Sequence, residues 1–286
     1  MLDKYRNKEG FIDLNNTPYK ADISERFKLI IDGIGYYYKY TTPERLYNEL
    51  IAEELAKKLN IPCAHYDIGK VNERYIVLSE DFIKEGYNFT PMSAIIKERK
   101  NNNLEVIWDY LMKIYDDYDL VAKLMDQIVD IFLFDVVSAN SDRHFHNYGI
   151  LSNGKETNIT PVFDNERILD VSRCIEEQRY NLGVDYASDM FKSPKNTLNK
   201  FLAYSDKSYT QRLKNMLWAI TPESVDDILT KVEQKIKTKL PETTKKAVKE
   251  KFQKNLQMIE KSIKYAESKQ LQWLNTVIFF IKHIIY

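Results

Sequence analysis

The order of apolar and polar positions divides the chain into a strand-rich beginning and a helical remainder. Phe27-Lys28-Leu29-Ile30-Ile31 reads as a strand, Asp32-Gly33 as a hairpin turn that needs positive φ, and Gly35 to Tyr40 as the returning strand, with Lys39 inside its aromatic run. Thr42 and Pro43 predict the start of a helix whose apolar face is Leu46, Leu50, Ile51, Leu55 and Leu59. It should end near Asn60, because Pro62 forbids simple continuation. Two further strands, Tyr66–Val71 and Tyr75–Ser79, are joined tightly through Asn72-Glu73-Arg74. From residue 84 the pattern turns helical, with one segment over 104–115 and a stronger one carrying Val121, Leu124, Met125, Ile128, Val129 and Phe132. The apolar run Ile128–Val137 stops at Ser138-Ala139-Asn140. A short strand (148–151), a turn at Asn153-Gly154 and a second apolar run (159–163) follow and deliver Asp164. The pattern predicts an α+β chain with a small antiparallel β region holding one helix over 1–83, and a larger, mainly helical region over 84–286.

The C-terminal third is helical with fewer landmarks. Thr221-Pro222-Glu223-Ser224 opens one helix. The lysine-rich stretch 231–254 is broken by Pro241 into at least two segments; a solvated helix face is the plain reading and a docking surface for an acidic partner the sharper one. The apolar C-terminus (Trp273 to Tyr286, interrupted by Lys282 and His283) is shorter than the roughly 20 residues that span a bilayer. It reads as a core-packing helix, with a membrane-surface anchor as the alternative, and the polar N-terminus lacks a signal-peptide pattern.

Composition narrows the classes. In 286 residues, 44% are hydrophobic and 29% charged, as in a globular chain. Lys+Arg and Asp+Glu are both 42, so no bulk positive field draws nucleic acid, and no direct nucleic-acid partner is expected. Cys63 and Cys174 form no CxxC motif, which suits a reducing cytoplasm without excluding export as an effector.

The candidate chemistry lies in Ser141-Asp142-Arg143-His144-Phe145-His146-Asn147. Asn147 follows Asp142 by five positions, and Asp164 follows Asn147 by 17, room for a strand, a turn and a strand. Protein kinases use the same D-x-x-x-x-N spacing, with a metal-binding Asp after the next hairpin. The chemistry explains the residue types. The charge of a γ-phosphoryl group is met by magnesium, a hard ion that takes oxygen ligands such as Asn147 and Asp164. Asp142 can accept the proton of an attacking hydroxyl, and Arg143 and His144 could brace the loop or touch phosphate. Upstream, Lys39 precedes an acidic helix bearing Glu49, Glu53 and Glu54, as phosphate-binding lysines do. Read without that context, the stretch is a polar loop capping a helix. A competing metal reading takes Asp142, His144 and His146 as ligands, but lacks further nitrogen or sulfur donors.

Asn140 to Ile150 together with Thr160-Pro161-Val162-Phe163-Asp164 resembles the HipA-like serine/threonine kinase family, whose catalytic segment reads approximately N-x-D-R-H-x-x-N followed by P-x-x-D. Tyr38-Lys39, Asn48–Ala56 and Tyr75–Phe82 resemble the same family's lysine strand, following helix and strand into the linker between lobes; the likeness covers about residues 24–170. It implies a two-lobed protein-kinase-like fold, ATP and magnesium as cofactors, Asp142 as base, and Asn147 and Asp164 as metal ligands. It also implies nucleotide contacts from Lys39, its partner Glu49, Glu80 and Phe82 at the linker, and Arg143 and His144 near phosphate. It further implies a toxin or effector role in a toxin-antitoxin setting, an antitoxin or regulatory partner, and a protein substrate such as a translation factor, for example an aminoacyl-tRNA synthetase. The chain departs from the family in two ways. Residues 22–28 contain no glycine where a glycine-containing phosphate loop is common, and the chain begins near the kinase core, as in a compact form without the additional N-terminal subdomain. Ser24 is the candidate autophosphorylation site in that loop. A nucleotide-binding pseudokinase and a small-molecule kinase are the alternatives.

Overall fold

A computed structural model describes residues 2–15, 17–21, 27–96, 104–176, 197–204 and 206–284. Ser24, most of the loop around it and the segment 177–196 lie outside the described residues, as do the side chains from 270 onward.

Six strands make the first sheet: β1 (Ile12–Asp13), β2 (Tyr19–Ala21), β3 (Lys28–Ile31), β4 (Ile34–Tyr40), β5 (Tyr66–Val71) and β6 (Arg74–Glu80), in the order β1-β5-β6-β4-β3-β2. The two hairpins fall where the turn residues demand them. Asp32 and Gly33 have φ of 52° and 82°, and Asn72 and Glu73 of 47° and 61°, the left-handed pairs whose twist matches that of the flanking strands. Strand alternation then sorts the side chains. Tyr36 joins Leu2, Ile12, Leu14, Leu29, Ile31, Ile76 and Leu78 in a cluster on the outer face. Lys39, opposite Val77, falls on the other face.

That inner face receives α1 (Asn48–Lys58), with Leu50, Ile51 and Leu55 fully buried. The helix starts later than Thr42-Pro43 predicts. Residues 42–47 wind through successive turns (Arg45 N–H to Thr42 O and Asn48 N–H to Arg45 O, both 3.0 Å), and the Tyr47 cap has no side-chain bond. The Asn48 side chain instead donates to the carbonyls of Glu166 (2.7 Å) and Ile168 (3.3 Å), so docking against a distant turn sets where this helix begins. One turn past Glu49, Glu53 is also buried. It accepts from His65 (2.7 Å), the Tyr66 N–H (2.9 Å) and Lys235 (2.7 Å), with Lys57 at 2.8 Å.

Beyond β6 the chain crosses to a second sheet, β7 (Asn88–Pro91), β8 (Gly149–Ser152) and β9 (Thr157–Ile159), in that order and all antiparallel. At Gly149 the strands approach so closely that a Cβ would lie 2.3 Å from Thr90 O. The short α2 (Met92–Ile95), α3 (Leu104–Tyr115) and α4 (Tyr118–Ser138) follow β7. Asp117 caps α4, accepting from Leu120 N–H at 3.0 Å, and Ala139 ends it in the left-handed conformation (φ 51°). The apolar run of α4 is buried from Ile131 to Ser138 and forms the axis of the larger core.

The remaining helices are α5 (Thr197–Tyr204), α6 (Lys207–Ala219), α7 (Pro222–Ile236) and α8 (Glu242–Ile284). Thr221 and Ser224 form a reciprocal capping box at α7, and the helix ends before Pro241, as the sequence suggests. The fold is mixed α+β, with a curled N-terminal sheet and a helical C-terminal part. Strands β1, β2 and β7 and helix α2 escaped the sequence reading; at two to four residues each, they are too short to show a period. Many lysines of 231–254 are committed to ion pairs, among them Lys235–Glu53, Lys239–Glu233 and Lys245–Glu233. Among the described residues, no helix is long and apolar enough to cross a membrane.

Helix α8 is tied to the end of α4 through Asn255. Asn255 is fully buried and its amide donates to Val136 O (2.8 Å) and Val137 O (2.9 Å), carbonyls at the end of α4. Asn255→Ala should cost about 1–3 kcal/mol by removing both of these buried bonds. A shift of the urea midpoint at unchanged slope is the check.

Candidate functional site

The site begins with one ammonium group. Lys39 projects from β4 with Nζ 2.8 Å from Glu49 Oε1, 2.5 Å from Asp164 Oδ1 and 3.5 Å from Glu166 Oε2. Glu49 is fully buried, and its other oxygen accepts the Asn165 N–H at 2.8 Å. Burial works against the charge on Lys39, yet Glu49 and Asp164 more than offset it and raise its pKa. Burial likewise pushes Glu49 up, opposed by Lys39. For Asp164 burial is the largest influence and acts upward; the charge and hydrogen bond of Lys39 overcome it and hold the carboxyl below its ordinary 3.8. Asp164 itself stands in the left-handed region (φ 56°), and its N–H donates to the Tyr66 hydroxyl at 3.0 Å.

The loop 140–147 is built around Arg143. This side chain is 1% exposed. It binds both oxygens of Asp135 (2.9 and 3.0 Å), the carbonyls of Asn147 (2.8 Å) and Phe163 (2.6 Å), and Asn165 Oδ1 (2.7 Å). All five of its N–H donors are thereby used. Of the two roles open to it, bracing the loop is the one its position serves: Arg143 lies beneath the cleft and joins the Asn147 segment to the Asp164 segment. Asn140 also binds Asp135 (2.9 Å) and accepts the Asp142 N–H (3.1 Å). The Asn147 amide nitrogen donates to Asp142 O (3.1 Å), which leaves its oxygen for another partner. The Asp142 carboxylate is partly exposed and lies 3.4 Å from Arg167 Nε. His144 is exposed, its ring 5.6 Å from that of His146, which bonds Ser93 Oγ at 2.9 Å.

A cavity of about 380 Å³ opens beside Lys39. Its polar end is Lys39, Glu49 and Asp164. Its far end is aromatic: Phe82 and Phe163 lie 5.2 Å apart between ring centres, with Phe89 about 6 Å from each. Such a slot takes a flat ring at one end and charge at the other. Ser79, Asp81, Phe82 and Ile83 line it. Glu80 does not. Strand alternation turns its side chain to the opposite face of the sheet, where it borders a separate cavity with Tyr36, His65 and Lys235. The nucleotide contact expected of Glu80 is therefore not available to its side chain.

Whether magnesium suits this site is a question of donors and charge. Around Lys39 stand three carboxylates, and among the described residues Arg45 is the only further cation bound to them, at 3.4 Å from Glu166. The surplus is negative, the free donors of Asn147 and Asp164 are oxygens, and Lys39 stands on Asp164 as a substitute cation. The residues fit a hard divalent ion. In the nitrogen-ligand alternative His146 is already bonded to Ser93 Oγ at 2.9 Å, and among the described residues no three His, Cys, Asp or Glu side chains gather as a metal site, at these rings or elsewhere.

Several members of the site were not singled out in the sequence. Asp135 inside an apolar run was a visible sign, since a buried acid requires a partner. Asn165, Glu166 and Arg167 directly follow Asp164. Nothing marked Tyr66 or Asp81.

The model of the HipA-like C-terminal domain matches residues 27–240. None of the curated proteins matches the chain. Among solved structures, the proinflammatory kinase CtkA of Helicobacter pylori is 19% identical, with a TM-score of 0.60 over 90% of this chain and 98% of that one. HipA of Shewanella oneidensis MR-1, from a complex of the toxin–antitoxin proteins HipA and HipB with operator DNA, is 16% identical, with a TM-score of 0.54 over 94% of this chain and 69% of that one. Both show the same fold.

Two measurements probe the site. Arg143→Leu strands Asp135 as a buried, unpaired carboxylate and should cost about 3–5 kcal/mol, while the double variant with Asp135→Leu should recover part of the loss. Urea unfolding of the three proteins decides it. The pair Lys39–Asp164 should also set a pH window. Asp164, lowered when folded, contributes stability above its ordinary 3.8 and loses it as pH falls through the lower folded value; Lys39, raised when folded, contributes below its ordinary 10.5 and loses it as pH rises through the higher one. The stability difference between wild type and Asp164→Asn should therefore hold from pH 5 to 7 and shrink on acidification below about pH 3.8.

Proposed function

The chain belongs to the family of HipA-like C-terminal domains, and from that premise we propose that it is an ATP- and magnesium-dependent kinase that phosphorylates a serine or threonine hydroxyl of a protein. The observation that carries the reading is the suspension of Lys39 between Glu49 and Asp164 at the mouth of an aromatic slot. A lysine so held can bind the α- and β-phosphates, with the adenine ring in the slot beside Phe82. Magnesium, when bound, neutralises phosphate charge; Asn147 and Asp164 are the residues that would hold it. Asp142 orients the acceptor hydroxyl. The hydroxyl oxygen bonds to the γ-phosphorus, the bond from that phosphorus to the bridging oxygen breaks with its electron pair leaving on ADP, and the hydroxyl proton passes to Asp142.

The family and the fold of HipA support a toxin or effector role, and the HipA–HipB complex supports an antitoxin-like protein partner. Cys63 and Cys174 are not joined in a disulfide, which suits a reducing cytoplasm. A translation factor is the substrate class we favour, and Ser24 the autophosphorylation site.

Asp142→Ala and Asp164→Ala should each abolish transfer from radiolabelled ATP to protein in a lysate, with circular dichroism unchanged. Label in a metabolite instead of protein would make the chain a small-molecule kinase. Binding of ATP without any transfer, seen by calorimetry, would make it a nucleotide-binding module.

A further inference from the structure

The turn after Asp164 carries a cation whose capacity is not spent. Arg167 has its Nε buried and without a hydrogen-bond acceptor. Asp142 Oδ2 lies at the ion-pair distance of 3.4 Å. The backbone beneath this side chain is held from three sides. Asn48 binds the carbonyls of Glu166 and Ile168, the Ser141 N–H donates to Arg167 O at 3.4 Å, and the Leu169 N–H donates to Ser138 O at 2.8 Å. The guanidinium is thus placed beside the base by a turn that is tied down.

Among the described residues, the other lysine and arginines of the cleft have work already. Lys39 is shared by Glu49, Asp164 and Glu166, Arg143 is sealed below the loop with every donor used, and Arg45 stands on Glu166. The charge that develops on the three outer oxygens of a phosphoryl group in flight needs a donor on the side of the acceptor as well as on the side of ADP.

Resting on the kinase reading, we propose that Arg167 binds the γ-phosphoryl group of ATP and carries its charge during transfer, an arginine supplied from within the chain. A group held 3.4 Å from the base lies within reach of a phosphoryl whose incoming oxygen is bound to that base. As the new P–O bond forms, the bridging bond breaks toward ADP and Asp142 takes the proton, and Arg167 donates to the outer oxygens without exchanging a proton of its own. Before ATP arrives, the Asp142 carboxylate occupies the place of the anion. A planar fork suits phosphate oxygens better than an ammonium does, so lysine should replace it poorly.

The test uses the full chain and its Arg167→Gln and Arg167→Lys variants. Calorimetry compares MgATP with MgADP, and single-turnover transfer of labelled phosphate gives the rate. Wild type should bind MgATP more tightly than MgADP. Arg167→Gln should bring the two affinities together by weakening ATP alone, and should slow transfer by about 100-fold or more; Arg167→Lys should recover only part of either. Equal wild-type affinities, or a Gln variant that keeps both its preference for ATP and its rate, overturn the proposal. A variant that loses ATP and ADP binding alike also overturns it, because Arg167 would then only prop the turn. Wild type that discriminates ATP from ADP but labels no acceptor sinks the kinase reading, while the binding comparison still decides whether Arg167 holds the γ-phosphoryl.

Discussion

Everything in the cleft rests on a guanidinium that never reaches it. Arg143 is buried, and charge in such a place is stable only when every donor finds a partner. The five bonds it makes are therefore constraints as much as contacts. They fix the end of α4 through Asp135, the loop through Asn147 O, and the Asp164 segment through Phe163 O and Asn165. The loop and the Asp164 segment could not shift apart without leaving one of those acceptors unpaired at full desolvation cost. The geometry of the working residues is inherited from this pair, while the apolar packing of α4 holds the pair itself in place.

A second frame ties the upper sheet to the helices below. Glu49 and Glu53, one turn apart on α1, are both buried, and each is answered from elsewhere. Glu49 meets Lys39 and Asn165; Glu53 meets His65, Tyr66 and Lys235 of α7. Two acids in the core make a helix hard to displace, since pulling either from its partners would leave a buried carboxylate unpaired. Asn48, at the start of the same helix, adds bonds to the turn beyond Asp164. The lysine strand, its helix and the far loop thus form one continuous polar framework inside an apolar shell.

How much of this could be read from the residues depended on range. The hairpin at Asp32-Gly33, the long α4 with its abrupt stop, the Asn153-Gly154 turn and the capped start of α7 are local consequences of backbone chemistry and were legible. The meeting of Lys39 with Glu49 and Asp164 was expected from the family resemblance, which set a lysine strand before an acidic helix and an aspartate beyond the later hairpin. What stayed hidden depended on tertiary contact. The start of α1 is set by Asn48 reaching a turn more than a hundred residues away. Strands β1 and β7 exist because a neighbour pairs with them. The outward turn of Glu80 depends on the phase of β6, which a two-faced strand with few polar residues does not disclose. The inward course of Arg143 could have been suspected from Asp135, the one acid set among the apolar residues that end α4.

The two halves of the site also differ in how far apart their members lie along the chain. Arg143 reaches back 8 residues to Asp135 and forward 22 to Asn165, whereas Lys39 and Asp164 are 125 residues apart. Closing the longer loop costs about 1.5 kcal/mol more in chain entropy. The floor of the cleft can assemble as a local unit from α4 and its hairpin, with the lysine strand joining an already shaped surface. During synthesis the β sheet leaves the ribosome first, so Lys39 and Glu49 can meet long before Asp164 arrives, whereas Glu53 has to wait for Lys235 until α7 has emerged.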